Sequence, residues 1–287
     1  MKDRPIRILA MDGGGVRGII TARWLERLER ELRAPLGSVF HTIAGTSIGS
    51  ILAGGLTTGI AANDLRNWLV TGAQDVFTRS KPGPSGSSGP KYSIEGLSAL
   101  TKSLFADKKL IEADPRLIIH TFSPRHRRSV LWRSWEPRWN QASIASVCRA
   151  SCTAPGYFPS APVSVDDETI DAVDGGMIVR NPSAFALAAV VGSNPDVLKK
   201  VTLVSFGTGE FPLDVADYMD DEGDVISRGI LGKDQYFRLQ LELTPGVGHM
   251  DDASESHLVA LQRLADQSFD ETNFHHTWNE MLDKLIA

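Results

Sequence analysis

Ile6-Arg7-Ile8-Leu9-Ala10-Met11-Asp12-Gly13-Gly14-Gly15-Val16-Arg17-Gly18 sets the class of the fold. Six residues with little polar interruption read as a short strand covered on both faces, since a strand with one wet face would alternate. The glycines behind it permit a sharp turn. From Gly18 to about Arg33, Ile20, Trp24, Leu25, Leu28 and Leu32 then fall on one helical face. The same sequence of events recurs at once: His41–Gly45 reads as a strand and Ile48–Leu56 as an apolar helix. Strand, turn and helix repeated in this way predict a mainly parallel sheet with helices packed on it, a three-layer α/β/α fold.

Alternation continues along the chain. Asn63 is expected to cap a helix running to about Phe77, and a further helix is expected over Ser93–Phe105. Strands are expected near Leu117–Phe122 and Ser129–Trp132, a helix over Ser143–Ser151, and strands at Ala161–Val165 and Thr169–Val173. A helix from Asn181, strands at Val201–Phe206 and Tyr236–Leu243, and helices over Ala253–Phe269 and Glu271–Ile286 complete the reading. Lys81–Pro90 is rich in Pro, Gly and Ser and reads as a linker, with a lid over the site as the alternative. The pattern predicts one domain over 1–287, with a core at about 6–210 and a C-terminal strand and helices at about 211–287.

The 287 residues are 42% hydrophobic and 23% charged, with a formal net charge of −5. That balance supports a sizeable core, and it disfavours a nucleic-acid polymer as partner because phosphate binding leaves a basic surplus. Cys148 and Cys152, one helical turn apart, are too few for a soft-metal site and read as small core residues. Met1–Pro5 runs directly into the strand, so no apolar leader is expected. The uncharged stretch His41–Asn63 is broken by Gly45, Gly49, Gly54, Gly55 and Gly59, so it does not read as a membrane span. A soluble, cytoplasmic protein is expected.

Three short motifs carry chemistry. Gly13–Gly18 has G-x-G-x-x-G spacing, which suits a pyrophosphate cradle and equally an oxyanion hole, because both need backbone N–H groups unobstructed by a Cβ. Gly45-Thr46-Ser47-Ile48-Gly49, between a strand and a helix, reads as a nucleophile elbow in which two glycines let strand and helix approach, or alternatively as a glycine-rich turn with a helix-capping serine. Asp174-Gly175-Gly176 ends a strand. Alone it is a common turn, but beside the other two it supplies the carboxylate that acyl transfer requires.

These residues resemble the patatin-like phospholipases of bacterial type. That family carries G-G-G-x-R/K-G, then G-x-S-x-G, then D-G-A/G, and all three occur here in order. Ala150-Ser151-Cys152-Thr153-Ala154-Pro155-Gly156-Tyr157-Phe158-Pro159 is similar to the family's A-S-x-A-A-P-x-Y-F-P, and Ser205-Phe206-Gly207-Thr208-Gly209 to its S-x-G-T-G. The similarity runs from about Ile6 to Gly209, with Gly176 in place of the commoner alanine and Cys152-Thr153 in place of smaller residues. It implies a Ser–Asp dyad without histidine. Ser47 would attack an ester carbonyl, and Asp174 would take its proton and later activate water against the acyl-enzyme. The N–H groups of Gly13, Gly14 and Gly15 would receive the oxyanion, with Arg17 fixing the loop. A phospholipid or related acyl lipid, met at a peripheral membrane surface, is the implied substrate, and neither a metal nor an organic cofactor is implied. Some bacterial relatives are anti-phage effectors switched on by cyclic dinucleotides, so a small-nucleotide activator is a further implication without a motif of its own here. An ordinary aspartate, with a pKa of about 3.9, is a weak base for a hydroxyl, so burial of Asp174 and an acidic limb above pH 4 are expected.

Other readings stay open at this level. A Ser–His–Asp esterase would draw on His249, His257, His275 or His276, all of which follow Asp174. A nucleotide-binding protein would use Gly13–Gly18 and leave Ser47 incidental, and a binding protein with a decayed site is disfavoured because every expected catalytic residue type is present. Arg125, Arg127, Arg128, Arg133 and Arg138 interleave with Trp132, Trp135 and Trp139. This segment reads as a hairpin with a solvated basic turn and inward tryptophans, or alternatively as a membrane-facing patch.

Overall fold

The computed structural model describes residues 5–80, 89–192, 194–211, 222–244 and 246–287. At the centre of its sheet lies β1 (Ile6–Met11), paired in parallel with β2 (Thr42–Thr46) on one side and β8 (Val201–Phe206) on the other. Parallel pairing continues outward to β3 (Arg116–Ser123) and to β9 (Tyr236–Leu239). Two antiparallel partners of β3 complete the sheet: β4 (Arg128–Arg133) along its length and the short β7 (Val173–Asp174) at its carboxyl end. The order is β4-β3-β2-β1-β8-β9. A separate hairpin, β5 (Val163–Val165) with β6 (Glu168–Ile170), carries the acidic turn at Asp166 and Asp167.

Successive side chains of a strand point to opposite faces, and here each face finds its own core. Leu9, Met11, Ile43, Leu117, Ile119, Val204, Phe206, Phe237 and Leu239 belong to one cluster. Their neighbours Ile8, Ala10, Ala44, Ile118, Val201, Leu203 and Tyr236 belong to the other. The first face is covered by α1 (Gly18–Leu32), α3 (Ile48–Thr57) and α6 (Ile144–Ser151), while α4 (Ala62–Val76) packs on α1 and α5 (Glu95–Phe105) on α6. The second is covered by α7 (Ser183–Val191), on which α8 (Glu222–Leu231) rests. A short α2 (Leu36–Val39) links α1 to β2. The α/β/α layering follows from this division of side chains.

The last two helices, α9 (Glu255–Gln267) and α10 (Thr272–Ile286), dock on α1 through aromatic rings. Trp24 lies 5.1 Å from Phe274 and 5.9 Å from Phe206, and its Nε1 donates to Ala265 O at 3.1 Å. Trp278 is edge-on to Phe269 at 4.8 Å and donates to Glu31 Oε2 at 2.7 Å. A Trp-to-Ala change in such a core costs about 3–5 kcal/mol.

Several expectations are revised. Asn63 does not cap α4: its Oδ1 accepts from Arg66, while the Ala62 N–H at the helix start donates to Glu29 Oε2 of α1 at 2.9 Å. The predicted strand Thr169–Val173 divides, because β6 pairs locally while Val173 and Asp174 pair with β3. α8 was not expected, since its inward face is Gly223, Ser227 and Leu231 while Val225, Ile226 and Ile230 are exposed, the reverse of an amphipathic signal. Trp132 and Trp139 are buried, with tilted rings 4.8 Å apart, so the membrane-facing reading of these tryptophans gives way to the hairpin. The choice between lid and linker for Lys81–Pro90 lies outside the described residues except at Gly89 and Pro90.

Candidate active site

The ends of three strands bring the site together. The glycine loop leaves the carboxyl end of β1, Ser47 follows β2, and Thr208 follows β8, all on the edge where open parallel sheets present ligand sites. Asp174 reaches the same edge on β7, whose register sets it opposite Thr121 of β3.

Ser47 has φ 53° and ψ −126°, a conformation that costs a non-glycine residue about 1–3 kcal/mol. Contacts on all sides hold it there. A Cβ on Gly45 would lie 2.1 Å from Gly49 O, and one on Gly49 would lie 2.3 Å from Met11 O, so neither position admits a side chain. The Ser47 N–H donates to Ser151 Oγ at 2.9 Å, and Ser151 in turn donates to His120 O at 2.7 Å.

The Ser47 hydroxyl donates to Asp174 Oδ2 at 2.7 Å. The other carboxylate oxygen accepts from the Gly176 N–H at 2.7 Å, and the Asp174 N–H donates to Thr153 O at 3.1 Å. Ser47 and Asp174 are buried, with 8% and 5% of their surface exposed. Burial pushes the Asp174 carboxyl up to about 6, against the opposing pull of the Ser47 and Gly176 hydrogen bonds. Desolvation therefore wins, and the carboxylate becomes a stronger base than an exposed aspartate.

The glycine loop lies against the serine: a Cβ on Gly13 would stand 3.1 Å from Ser47 Cβ. The Gly13 N–H donates to Arg180 O at 3.1 Å, and the Val16 N–H to Met250 O at 2.9 Å. Arg17 is buried in the 3-10 turn that follows, with its N–H closing onto Gly14 O at 3.2 Å. The Gly14 and Gly15 N–H groups meet no acceptor among the described residues. Gly18 serves packing, since a Cβ there would lie 2.4 Å from Ile48 Cγ1. A pyrophosphate cradle needs a run of available amides, and here that run is reduced to two.

Beneath the loop, Arg238 of β9 forks onto Asp12 with contacts of 2.6 and 3.0 Å, and its Nη1 also donates to Ser205 Oγ at 2.9 Å. This buried ion pair anchors the residue immediately before Gly13.

None of the four histidines considered above is hydrogen-bonded to Ser47 or Asp174. His249 and His275 are exposed, His276 faces Glu280 at 3.4 Å, and buried His257 faces Asp252 at 3.8 Å. The histidine beside the site is His120, which sequence reasoning passed over; a Cβ on Gly175 would lie 2.4 Å from its Nδ1. Burial pushes His120 down to about 4, so it is neutral near pH 7. Ser151 and Thr208 stood within the quoted motifs without an assigned role, and Met250 had no signal at all. Cys152, expected as a small core residue, packs against the main core cluster. It lies beside Asp174 and Ser47, its thiol held protonated first by burial and then by the Asp174 charge.

Fold and site define a class of α/β proteins that set an elbow serine directly against a buried aspartate. The model of the family described as patatin-like phospholipase matches residues 9–188, and the chain belongs to that family. Patatin-like protein 1 of Arabidopsis thaliana is 26% identical over 91% of this chain and 81% of its own length. The cUMP-AMP-activated phospholipase of Escherichia coli is 25% identical over 73% of this chain and 67% of its own. Among solved structures, human GIVD cytosolic phospholipase A2 aligns with a TM-score of 0.49 at 10% identity, covering 97% of this chain and 60% of that one. No helix of the described residues is long and apolar enough to cross a membrane.

Proposed function

We propose that the protein hydrolyses carboxylic esters of phospholipids or related acyl lipids through a Ser47–Asp174 dyad. The observation that carries this reading is the 2.7 Å hydrogen bond from the Ser47 hydroxyl to a buried carboxylate. Asp174 takes the serine proton as Ser47 Oγ attacks the ester carbonyl. The alcohol or lysolipid leaves, and Asp174 then deprotonates the water that cleaves the acyl-enzyme. The developing oxyanion is received by the Gly14 and Gly15 N–H groups. Gly13 joins them only if its bond to Arg180 O opens, and Arg17 holds the turn behind them. Gly45 and Gly49 keep the elbow in place.

A lipid substrate is supported by family membership and by the apolar rim of the site. Met177 and Ile178, directly after the Asp174 turn, are 56% and 52% exposed, and Met250 beside Gly15 is 41% exposed. Such a rim suits peripheral contact with a lipid surface from the cytoplasmic phase. A single domain over 1–287 is supported by β8 and β9, which lie in the same sheet as β1, and by the docking of α9 and α10 on α1. The relative named for activation by cUMP-AMP brings a cyclic-dinucleotide activator into the proposal; a turnover rate unchanged by cUMP-AMP removes that element alone.

Mass spectrometry of a mixed phospholipid extract, incubated with wild type or Ser47→Ala, tests the proposal. Free fatty acid and lysolipid should accumulate only with wild type, and a fluorophosphonate probe should label wild type and not the variant. Equal labelling of both proteins would remove Ser47 from the mechanism.

A further inference from the structure

The glycine loop is gripped at both ends by residues beyond the segment that the family model matches. At one end Thr208 Oγ1 donates to Gly13 O at 2.7 Å, and a Cβ on Gly14 would fall 2.3 Å from that hydroxyl. At the other, Met250 O accepts from the Val16 N–H at 2.9 Å and lies only 2.1 Å from where a Gly15 Cβ would stand. Gly14 has φ 159° and Gly15 φ 59°, so the two candidate oxyanion amides sit on a backbone whose orientation these neighbours determine.

Met250 belongs to a loop, not to a helix or strand, so something must hold its carbonyl in place. The next residue does so. The Asp251 carboxylate, 15% exposed, receives the Lys91 ammonium and, at 2.8 Å, the Tyr92 hydroxyl. Lys91 and Tyr92 are themselves tied to the segment after α6, through Lys91 N–H to Gly156 O at 2.9 Å and Tyr92 N–H to Tyr157 O at 2.8 Å. A continuous path thus runs from the Tyr157 segment through Lys91, Tyr92 and Asp251 to Met250 O and the oxyanion loop.

We infer that Asp251, clasped by Lys91 and Tyr92, is a positioning residue that aims the Gly14 and Gly15 amides by holding Met250 O on the Val16 N–H. The inference rests on the hydrolase reading above. Asp251 touches neither substrate nor the reacting atoms; it acts through the backbone. Loosening it should misplace the oxyanion donors while leaving Ser47, Asp174 and ground-state binding as they are. Removal of a whole oxyanion donor costs about 10²–10³-fold in rate, so a misaimed pair should cost roughly tenfold.

The test compares wild type, Asp251→Asn and the double variant Lys91→Met/Tyr92→Phe on a soluble short-chain aryl ester. Each is also titrated with an alkyl trifluoromethyl ketone, which forms an oxyanion adduct on the serine. Expected for both variants are a kcat lower by about tenfold, a trifluoromethyl ketone affinity weaker by the same factor and an unchanged KM. Combining all three substitutions should add little further loss, because one clasp is being broken from two sides. A kcat and inhibitor affinity equal to wild type would overturn the inference, and so would losses that merely track the folded fraction measured by thermal melting. If wild type itself shows no Ser47-dependent turnover, the hydrolase reading falls and takes this inference with it.

Discussion

The elbow around Ser47 and the loop around Met250 border the same glycine turn but are built from opposite materials. At the elbow, backbone packs on backbone: Gly45 against Gly49, and Gly49 against Met11 and Asp12. At the loop, a carbonyl is delivered by side chains, through Asp251, Lys91 and Tyr92. The first arrangement leaves no room for a side chain at Gly45 or Gly49 and holds Ser47, the candidate nucleophile, at a positive φ. The second admits gradual change, because side-chain contacts at a partly exposed site can be weakened without collapse. The candidate nucleophile is thus fixed by backbone packing, while the candidate oxyanion amides are set by replaceable side chains.

The sharpest break in that contrast is Ser47→Ala. It should abolish ester hydrolysis, by about 10⁴-fold or more, while leaving the melting temperature unchanged or higher, since the elbow loses a reacting group and no packing. Gly45→Ala comes next. Its Cβ has no room beside Gly49 O, and a loss above about 3 kcal/mol is expected, read as a collapse of the melting temperature or as insoluble protein.

Asp174→Asn separates catalysis from stability. A carboxyl raised to about 6 from an ordinary value of 3.8 favours folding when protonated, fully so below the unfolded value, and that contribution is lost as pH rises through about 6. The shift corresponds to roughly 2–3 kcal/mol above pH 6, offset in part by the Ser47 and Gly176 hydrogen bonds that asparagine would weaken. The variant should lose activity, yet gain melting temperature relative to wild type at pH 8 and not at pH 4. In wild type the same titration should put an acidic limb near pH 6 in kcat/KM, and a flat profile down to pH 4 would remove Asp174 as base. The smallest expected effect lies away from the site. Gly229 in α8 faces open space, so Gly229→Ala should stabilise by about 0.5–1 kcal/mol, a rise of a few degrees in a melt.

Much of this was legible in the sequence, for identifiable reasons. β1 and β8 match their expected limits because strands buried on both faces are unbroken apolar runs. Ser47 and Asp174, singled out in the sequence, meet in space at 2.7 Å, and the glycines beside them mark where backbone passes close to its neighbours. α8 was hidden because its contact face uses Gly223 and Ser227, small residues that admit Asn181 and carry no hydrophobic period. The Asn63 cap failed because Glu29, distant in the chain, reaches the helix start first. Met250 was invisible in principle: it contributes a carbonyl, which every residue has.

The fork of Arg238 onto Asp12 carries one more consequence, for the order in which the protein becomes competent. Asp12 is made early and its cation late. Until β9 has emerged from the ribosome and joined the sheet, a carboxylate at the base of the glycine turn has no counter-charge, and burying it alone would cost about 3–5 kcal/mol. The turn beside Ser47 is therefore expected to settle only once Arg238 has reached Asp12. The proposed oxyanion loop would thereby take its shape only with the sheet complete out to β9.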